Sequence, residues 1–337
     1  MNLIQPILSV LREAADLTSR IQNDFITPAT WEKKDKSPVT VGDLAVQALV
    51  AARLEESCPE IPLIAEESAD LLLSEDGKRF LAILLQYLEK YLPGVSAEKI
   101  VGWISRGKND DSLKDAPRFW TLDPIDGTKG FLRKEQYATA LALVENGEVT
   151  FGSLGLPNLT WQKETHDFST EKPEIGKPFG SLLYAKRGMG TWISTLDGSD
   201  FERLHVSDHA DPKDASVLRS VESGHTNLSQ MDILCQKIGV SGVVAMDSQA
   251  KYAVLAAGKS DLLFRLISSK MPDYKEKIWD QAAGSIIVEE AGGRITDLDG
   301  RNLDFSYGSM LLDNRGICAS NGELHELALE AILDIHA

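Results

Sequence analysis

Asp123 and Asp126 stand on either side of Pro124-Ile125 in the stretch WTLDPIDGTKGF, and Gly127-Thr128 follows at once. Two like charges this close in the chain repel, so a stretch that keeps both needs something to offset the repulsion. Hard cations such as Mg²⁺ do this, because they take carboxylate and carbonyl oxygens and leave other positions to water and phosphate. The two aspartates, with the Ile125 carbonyl between them, can face one or two such ions, and Pro124 fixes the backbone that aims them. Gly127 lets backbone N–H groups approach an anion. The Thr128 hydroxyl, hydrogen-bonded to a carboxylate such as Asp43, makes a base able to take a proton from water. A turn with a helix cap by Asp126 or Thr128 explains the same residues and is compatible with the metal role. Without a cation the site is expected to be strained, with some carboxyl pKa values raised.

Other acids fall at the ends of short apolar runs: Asp43 in SPVTVGD, Glu66 and Glu67 in PLIAEES, and Asp280 in EKIWDQAAG. Such ends project side chains from rigid edges and can converge. Taken alone, Asp280 also suits the first turn of a helix, compensating its dipole.

The elements that must position these acids follow from periodicity. Leu3, Ile4, Ile7, Leu8, Leu11 and Ala15 recur at helical spacing, and residues 43–54 do the same, with Asp43 at the expected N-cap. Further helices are expected over 80–92, stopped by Pro93-Gly94, and over 97–105, with RGKNDDSLKDAP as a loop. YATALALVENGEVTFGSLGLP is two apolar runs joined at Asn146-Gly147, a strong hairpin signal; with SLLYAK and GTWIS it implies an antiparallel sheet. Past Asp208 the rhythm changes to alternating strand-like and helix-like segments, from ASVLRSV to a helix over 279–290. This predicts a second α/β layer with parallel neighbours. The sequence therefore divides into an α+β domain over 1–208 and a smaller α/β domain over 209–337. The polar segment 162–178 is a surface insertion, because strand signals continue beyond it.

With 337 residues, 43% apolar and 26% charged, the chain can bury a substantial core. Its formal charge of −16 disfavours a nucleic-acid polymer or an anionic membrane as partner, so an anionic substrate needs local cations. Three scattered cysteines give neither a disulfide framework nor a zinc cluster and suit a reducing compartment. The N-terminal stretch lacks the basic flank and cleavage site of a signal peptide, and no run is long enough to span a bilayer. A cytoplasmic location, or an organellar one after loss of a targeting segment, is expected.

The sequence also resembles a known group. WTLDPIDGTKGF, AEES and WDQAAGSIIVEEAGG look like the signatures of the lithium-sensitive, magnesium-dependent phosphatases, the inositol monophosphatase-like superfamily. KSPVTVGD, SVESGH, DSQAKYAVLAAG and EKIWD are most similar to its bisphosphate nucleotidase branch, over 34–304. The resemblance implies an αβαβα layered sandwich with an antiparallel sheet in the larger domain. It implies two or three Mg²⁺ ions per site, held by Glu66, Asp123, the Ile125 carbonyl, Asp126 and Asp280, with Asp43 and Thr128 activating water. It implies substrate contacts from Gly127, Thr128, His225, Ser248, Lys251, Arg265 and Asp280. Taken alone, Lys251 and Arg265 read as solvated charges and His225 as an inert loop residue; a second phosphate, however, needs cations not already engaged by metal ligands. Gln281 departs from the pattern, which often has His after Trp-Asp.

The activity so implied is hydrolysis of the 3′-phosphate of adenosine 3′,5′-bisphosphate by a monomeric, Mg²⁺-dependent phosphomonoesterase that also takes the sulfated analogue. The same metal chemistry on inositol 1,4-bisphosphate is the alternative, since the metal site does not read the leaving alcohol. A catalytically inactive nucleotide or metal sensor is the third.

Overall fold

The computed structural model describes residues 4–24, 30–32, 38–73, 77–107, 116–171, 179–221, 228–268 and 271–335. Residues 108–115 of the expected loop, 222–225 of the SVESGH stretch including His225, and 172–178 of the insertion lie outside them.

The chain opens with α1 (Ile4–Asp24), whose Ile7, Leu8, Leu11, Ala14 and Ile21 are buried at the helical period read from the sequence. A short antiparallel pair, β1 (Thr30–Glu32) and β2 (Pro38–Thr40), leads into α2 (Val41–Ser57). The N-cap of α2 is Thr40 and not Asp43. The Thr40 hydroxyl accepts the Gly42 and Asp43 N–H groups, while Asp43 Oδ2 accepts the Thr40 N–H at 2.7 Å. Thr-Val-Gly-Asp is thus a capping box, and Asp43 occupies its third helical position.

The chain continues through β3 (Leu63–Ala65), α3 (Gly77–Leu88), α4 (Ala97–Arg106), β4 (Arg118–Asp126) and the short α5 (Thr128–Arg133). The hairpin predicted at Asn146-Gly147 follows as β5 (Ala138–Glu145) and β6 (Glu148–Leu156), both turn residues having positive φ. Next come β7 (Thr160–Gln162), β8 (Asp167–Ser169), β9 (Ser181–Lys186), β10 (Gly190–Thr195) and β11 (Glu202–Leu204). Seven of these strands form one sheet in the order β11-β10-β9-β6-β5-β4-β3. It is antiparallel except at one edge, where β3 lies parallel to β4 with Ala65 opposite Leu122.

The second sheet is built from β12 (Ser216–Arg219), β13 (Gly242–Ala245), β14 (Leu262–Arg265), β15 (Arg294–Thr296) and β16 (Ile317–Ser320). Helices α6 (Leu228–Ile238), α7 (Ala250–Ala256), α8 (Ala282–Glu290) and α9 (His325–Asp334) complete the chain. The expected parallel neighbours hold for β12 with β13 and β14, but β16 runs antiparallel to both β14 and β15. Parallel pairs require a crossover connection, and here α6 and α7 supply it; β15 reaches β16 through 297–316 without a crossover helix.

Three apolar clusters define the layers. The first joins α1 to α4 with one face of the large sheet, the second joins its other face with α7, α8 and the small sheet, and the third lies between the small sheet, α6 and α9. The order is helix, sheet, helix, sheet, helix. The middle helices serve both sheets: α8 packs on β5, β6, β9 and β10 as well as β15. The Thr191 hydroxyl on β10 ties it down by donating to the Ile287 carbonyl at 2.6 Å. Among the described residues no helix is long and apolar enough to cross a membrane.

The close seating of α8 depends on Gly152 in β6. A Cβ there would lie 2.5 Å from Ile286 Cγ2 and 2.9 Å from the Ala283 carbonyl oxygen. Gly152→Ala should therefore cost about 1–3 kcal/mol by overpacking, read as a lower urea midpoint; an unchanged midpoint would contradict this packing.

Candidate active site

The first two sets of acids meet because β3 and β4 are parallel neighbours that end at the same edge. Glu66 follows β3 directly, its N–H bonded to the Leu122 carbonyl at 3.3 Å, one residue from Asp123 on β4. Gln47 of α2, fully buried, holds the segment after β3 from both sides. Its Nε2 donates to the Glu67 carbonyl at 2.7 Å, and its Oε1 accepts the Glu67 N–H at 2.9 Å. Nothing in the sequence singled out Gln47, a polar residue in the apolar middle of the helix.

Between Asp123 and Asp126 the register with β5 slips, and the Thr139 hydroxyl donates to the Pro124 carbonyl at 2.9 Å across the irregularity. A bulge of this kind re-aims side chains at a strand end. Gly127 then takes φ 84°, a left-handed conformation that glycine adopts without penalty, and α5 starts at Thr128. Ser248, also left-handed at φ 67°, sits against it; a Cβ on Gly127 would come within 2.9 Å of Ser248 Cβ. Next to Ser248, the Gln249 backbone N–H donates to Asp126 Oδ2. The Gln249 side chain bonds the Trp279 carbonyl at 2.9 Å and the Gly284 N–H at 3.0 Å, which ties α7 to the segment carrying Asp280.

Asp280 lies in a 3-10 turn, Ile278–Asp280, packed on β4 and β5. The sequence places it in the first turn of a helix over 279–290. Gln281 instead leaves helical geometry at φ −125°, so the chain breaks between Asp280 and α8.

The acids feel one another strongly. Burial pushes the Asp123 carboxyl well above the usual range, and Glu66, Asp126, Asp280 and Asp43 push it further. Burial and then Asp126 do the same to Asp280. Asp126 is raised less, since Lys251, the Gln249 N–H and Arg265 oppose its burial. Asp123 Oδ1 is buried and accepts no hydrogen bond among the described residues. Oxygen donors alone, mutual repulsion and this orphaned atom fit a hard divalent cation. Among the described residues, however, no three acidic, histidine or cysteine side chains form a ready-made metal cluster. The backbone brings the acids into one field without drawing their oxygens to one point.

The Thr128 hydroxyl donates to the Ile125 carbonyl at 3.2 Å, and the hydroxyl found on Asp43 Oδ2 is that of Thr40, at 2.7 Å. That follows from the place of Asp43 within the capping box. Lys251 is not a solvated charge. It is buried, its Nζ donates to the Ser248 and Met246 carbonyls at 2.9 and 3.2 Å, and burial pulls its pKa down to about 8. Arg265 is equally engaged, pairing with buried Glu276 through Nη2–Oε2 at 3.0 Å and Nε–Oε1 at 3.3 Å.

A five-layer α/β sandwich with a carboxylate-lined edge at its middle is a recognisable class of protein. The chain matches the model of the Inositol monophosphatase family over residues 3–337 and belongs to that family, whose members are generally metal-dependent. It is similar to the 3′(2′),5′-bisphosphate nucleotidase of Schizosaccharomyces pombe, 36% identical over 97% of this chain and 94% of the relative. The protein of the same name from Dictyostelium discoideum is 42% identical, over 93% and 90%. The structure of the Thermotoga maritima IMPase shares the fold, with a TM-score of 0.65 and 21% identity over 100% of this chain and 98% of that one.

Because repulsion among buried acids works against folding, Asp123→Asn should stabilise the protein in chelator at pH 7 by about 1–2 kcal/mol, a trade of stability for function. The sign follows from the raised pKa: ionised Asp123 costs stability as pH climbs above the unfolded aspartate value, and Asn removes that cost. A thermal melt in EDTA checks it, and a lower melting temperature for the variant would contradict it.

Proposed function

We propose that this protein removes the 3′-phosphate of adenosine 3′,5′-bisphosphate, releasing AMP and phosphate, with Mg²⁺ as its cofactor. The observation that carries the proposal is that Glu66, Asp126, Asp280 and Asp43 all act on buried Asp123, whose Oδ1 accepts no hydrogen bond among the described residues. The name shared by the relatives from S. pombe and Dictyostelium supports the choice of substrate. The acidic balance of the chain supports a small molecule rather than a nucleic-acid polymer or an anionic surface. The sulfated analogue is expected to be accepted as well, because it presents the same 3′-phosphate.

In this proposal Glu66, Asp123, Asp126, Asp280 and the Ile125 carbonyl hold the metal. When bound, Mg²⁺ polarises the phosphoryl oxygens and acidifies water. Thr128 orients the attacking water and Asp43 accepts its proton. The water oxygen bonds to phosphorus as the bond to the ribose 3′-oxygen breaks, in line, and that oxygen takes a proton from solvent to leave as the 3′-hydroxyl of AMP. Gly127, without a side chain, leaves room for the transferred phosphoryl group. Ser248, Lys251 and Arg265 receive the second phosphate, and His225 is assigned to the nucleotide by resemblance. A guanidinium has five N–H groups, and Arg265 can donate to a phosphate beyond the two bonds to Glu276 and the contact with Tyr274.

Phosphate release in Mg²⁺ should be faster from adenosine 3′,5′-bisphosphate than from inositol 1,4-bisphosphate at equal concentration, and Asp123→Asn should lower it by about a thousandfold or more. Preference for the inositol phosphate, or an active Asn variant, would overturn the proposal.

Lys251 carries its charge below about pH 8 and loses it above. The KM for the bisphosphate should accordingly rise above that pH in the wild type. Lys251→Met should start with a high KM that stays flat across the same range; an equal rise in both would separate Lys251 from substrate binding.

A further inference from the structure

A polar chain of four side chains lies beside the acids and ends on Arg265; its other three members have no part in the chemistry proposed above. The Tyr252 hydroxyl on α7 donates to Gln281 Oε1, and Gln281 Nε2 donates to Glu276 Oε2 at 2.8 Å. Glu276 takes the two Arg265 hydrogen bonds on its other side. Tyr252, Gln281 and Glu276 are 3%, 1% and 4% exposed, so these three are sealed from water, and Gln281 and Glu276 each have a partner on either side. Its far end is also fixed: a Cβ on Gly284 would lie 2.1 Å from the Tyr252 ring, which leaves the ring no room to swing toward α8.

Arg265 has an alternative. After Glu276, Asp280 is the carboxylate that acts on it most strongly, and Arg265 in turn lowers the pKa of both Asp280 and Asp126. A long cationic side chain within reach of like-charged acids would neutralise them by ion pairing. The same acids are the ones assigned to the cation.

We propose that Glu276, oriented by Gln281 and Tyr252, is a positioning residue that restrains Arg265 from pairing with Asp280 and Asp126 and so reserves those acids for the divalent ion. Gln281 suits this task. Its amide accepts from one side and donates to the other at any pH, whereas an imidazole at the same place would change its donors on protonation. The inference rests on the metal-site reading given above but not on the identity of the substrate.

The test uses the full chain without substrate. Mg²⁺ binding is measured by titration calorimetry for the wild type, Glu276→Gln, the double variant Arg265→Met/Glu276→Gln, and Tyr252→Phe. Glu276→Gln should weaken Mg²⁺ binding by about tenfold or more as the guanidinium turns to the acids, and the double variant should recover to within about threefold of wild type. Tyr252→Phe, which removes a single hydroxyl and should fold normally, should show a smaller loss in the same direction. A crystal structure of Glu276→Gln should place the guanidinium on Asp280 or Asp126. Unchanged Mg²⁺ affinity in Glu276→Gln and Tyr252→Phe, or an Arg265 that keeps its place in the variant crystal, overturns the inference. A wild type that binds no Mg²⁺ fails the metal-site reading instead.

Discussion

Carboxylates repel when buried together, and the arrangement of this molecule is organised around tolerating that repulsion. Asp123, Asp280 and Asp126 all have raised pKa values, with burial as the first cause and one another or Glu66 among the rest. A chain free to relax would separate them. Here they are carried on elements that cannot move apart without unfolding: adjacent parallel strands, a bulge pinned by Thr139, and a turn clamped by Gln249. The strain is held at the site and offset by packing elsewhere.

That packing explains why a site so rich in charge lies between layers rather than on one of them. Helices α7 and α8 are shared by both sheets, so the segments holding Ser248, Lys251 and Asp280 are fixed against the strand edge carrying Asp123. Cations arrive from the same direction as the fourth acid. Lys251 and Arg265 temper Asp126 in particular, yet each is bonded to its own neighbourhood, so neither cancels the acids outright. The result is a group of buried acids beside restrained cations, an arrangement suited to a doubly phosphorylated ligand.

Much of this was legible in the residues. The DPIDGT stretch alone suits an ordinary capped turn, and it points to a metal site only together with the acids of AEES and WDQAAG; the Asn146-Gly147 hairpin set the direction of the large sheet. What escaped is the part that depends on contacts between distant elements. Thr40 carries a capping signal three residues before Asp43, yet it was Asp43 that looked like the cap. Gln47, Gln249 and Glu276 are polar residues in ordinary settings, and only the fold shows that each bonds a backbone or side chain bearing an acid or a cation of the site. Likewise the break at Gln281 is invisible to periodicity, since the apolar spacing of α8 runs on smoothly through it. Local pattern picks out the candidate acids, whereas the groups that hold them are defined by tertiary partners.

The central claim is that these acids are tolerable neighbours because a divalent ion joins them. Anomalous diffraction from crystals grown with Mn²⁺ tests it most directly, since the ion's position is located independently of the protein phases. The account predicts peaks in direct bonding contact with Asp123 and Asp126 and shared with Glu66, Asp280 or the Ile125 carbonyl. Ordered Mn²⁺ held elsewhere, with these carboxylates left apart, would contradict it.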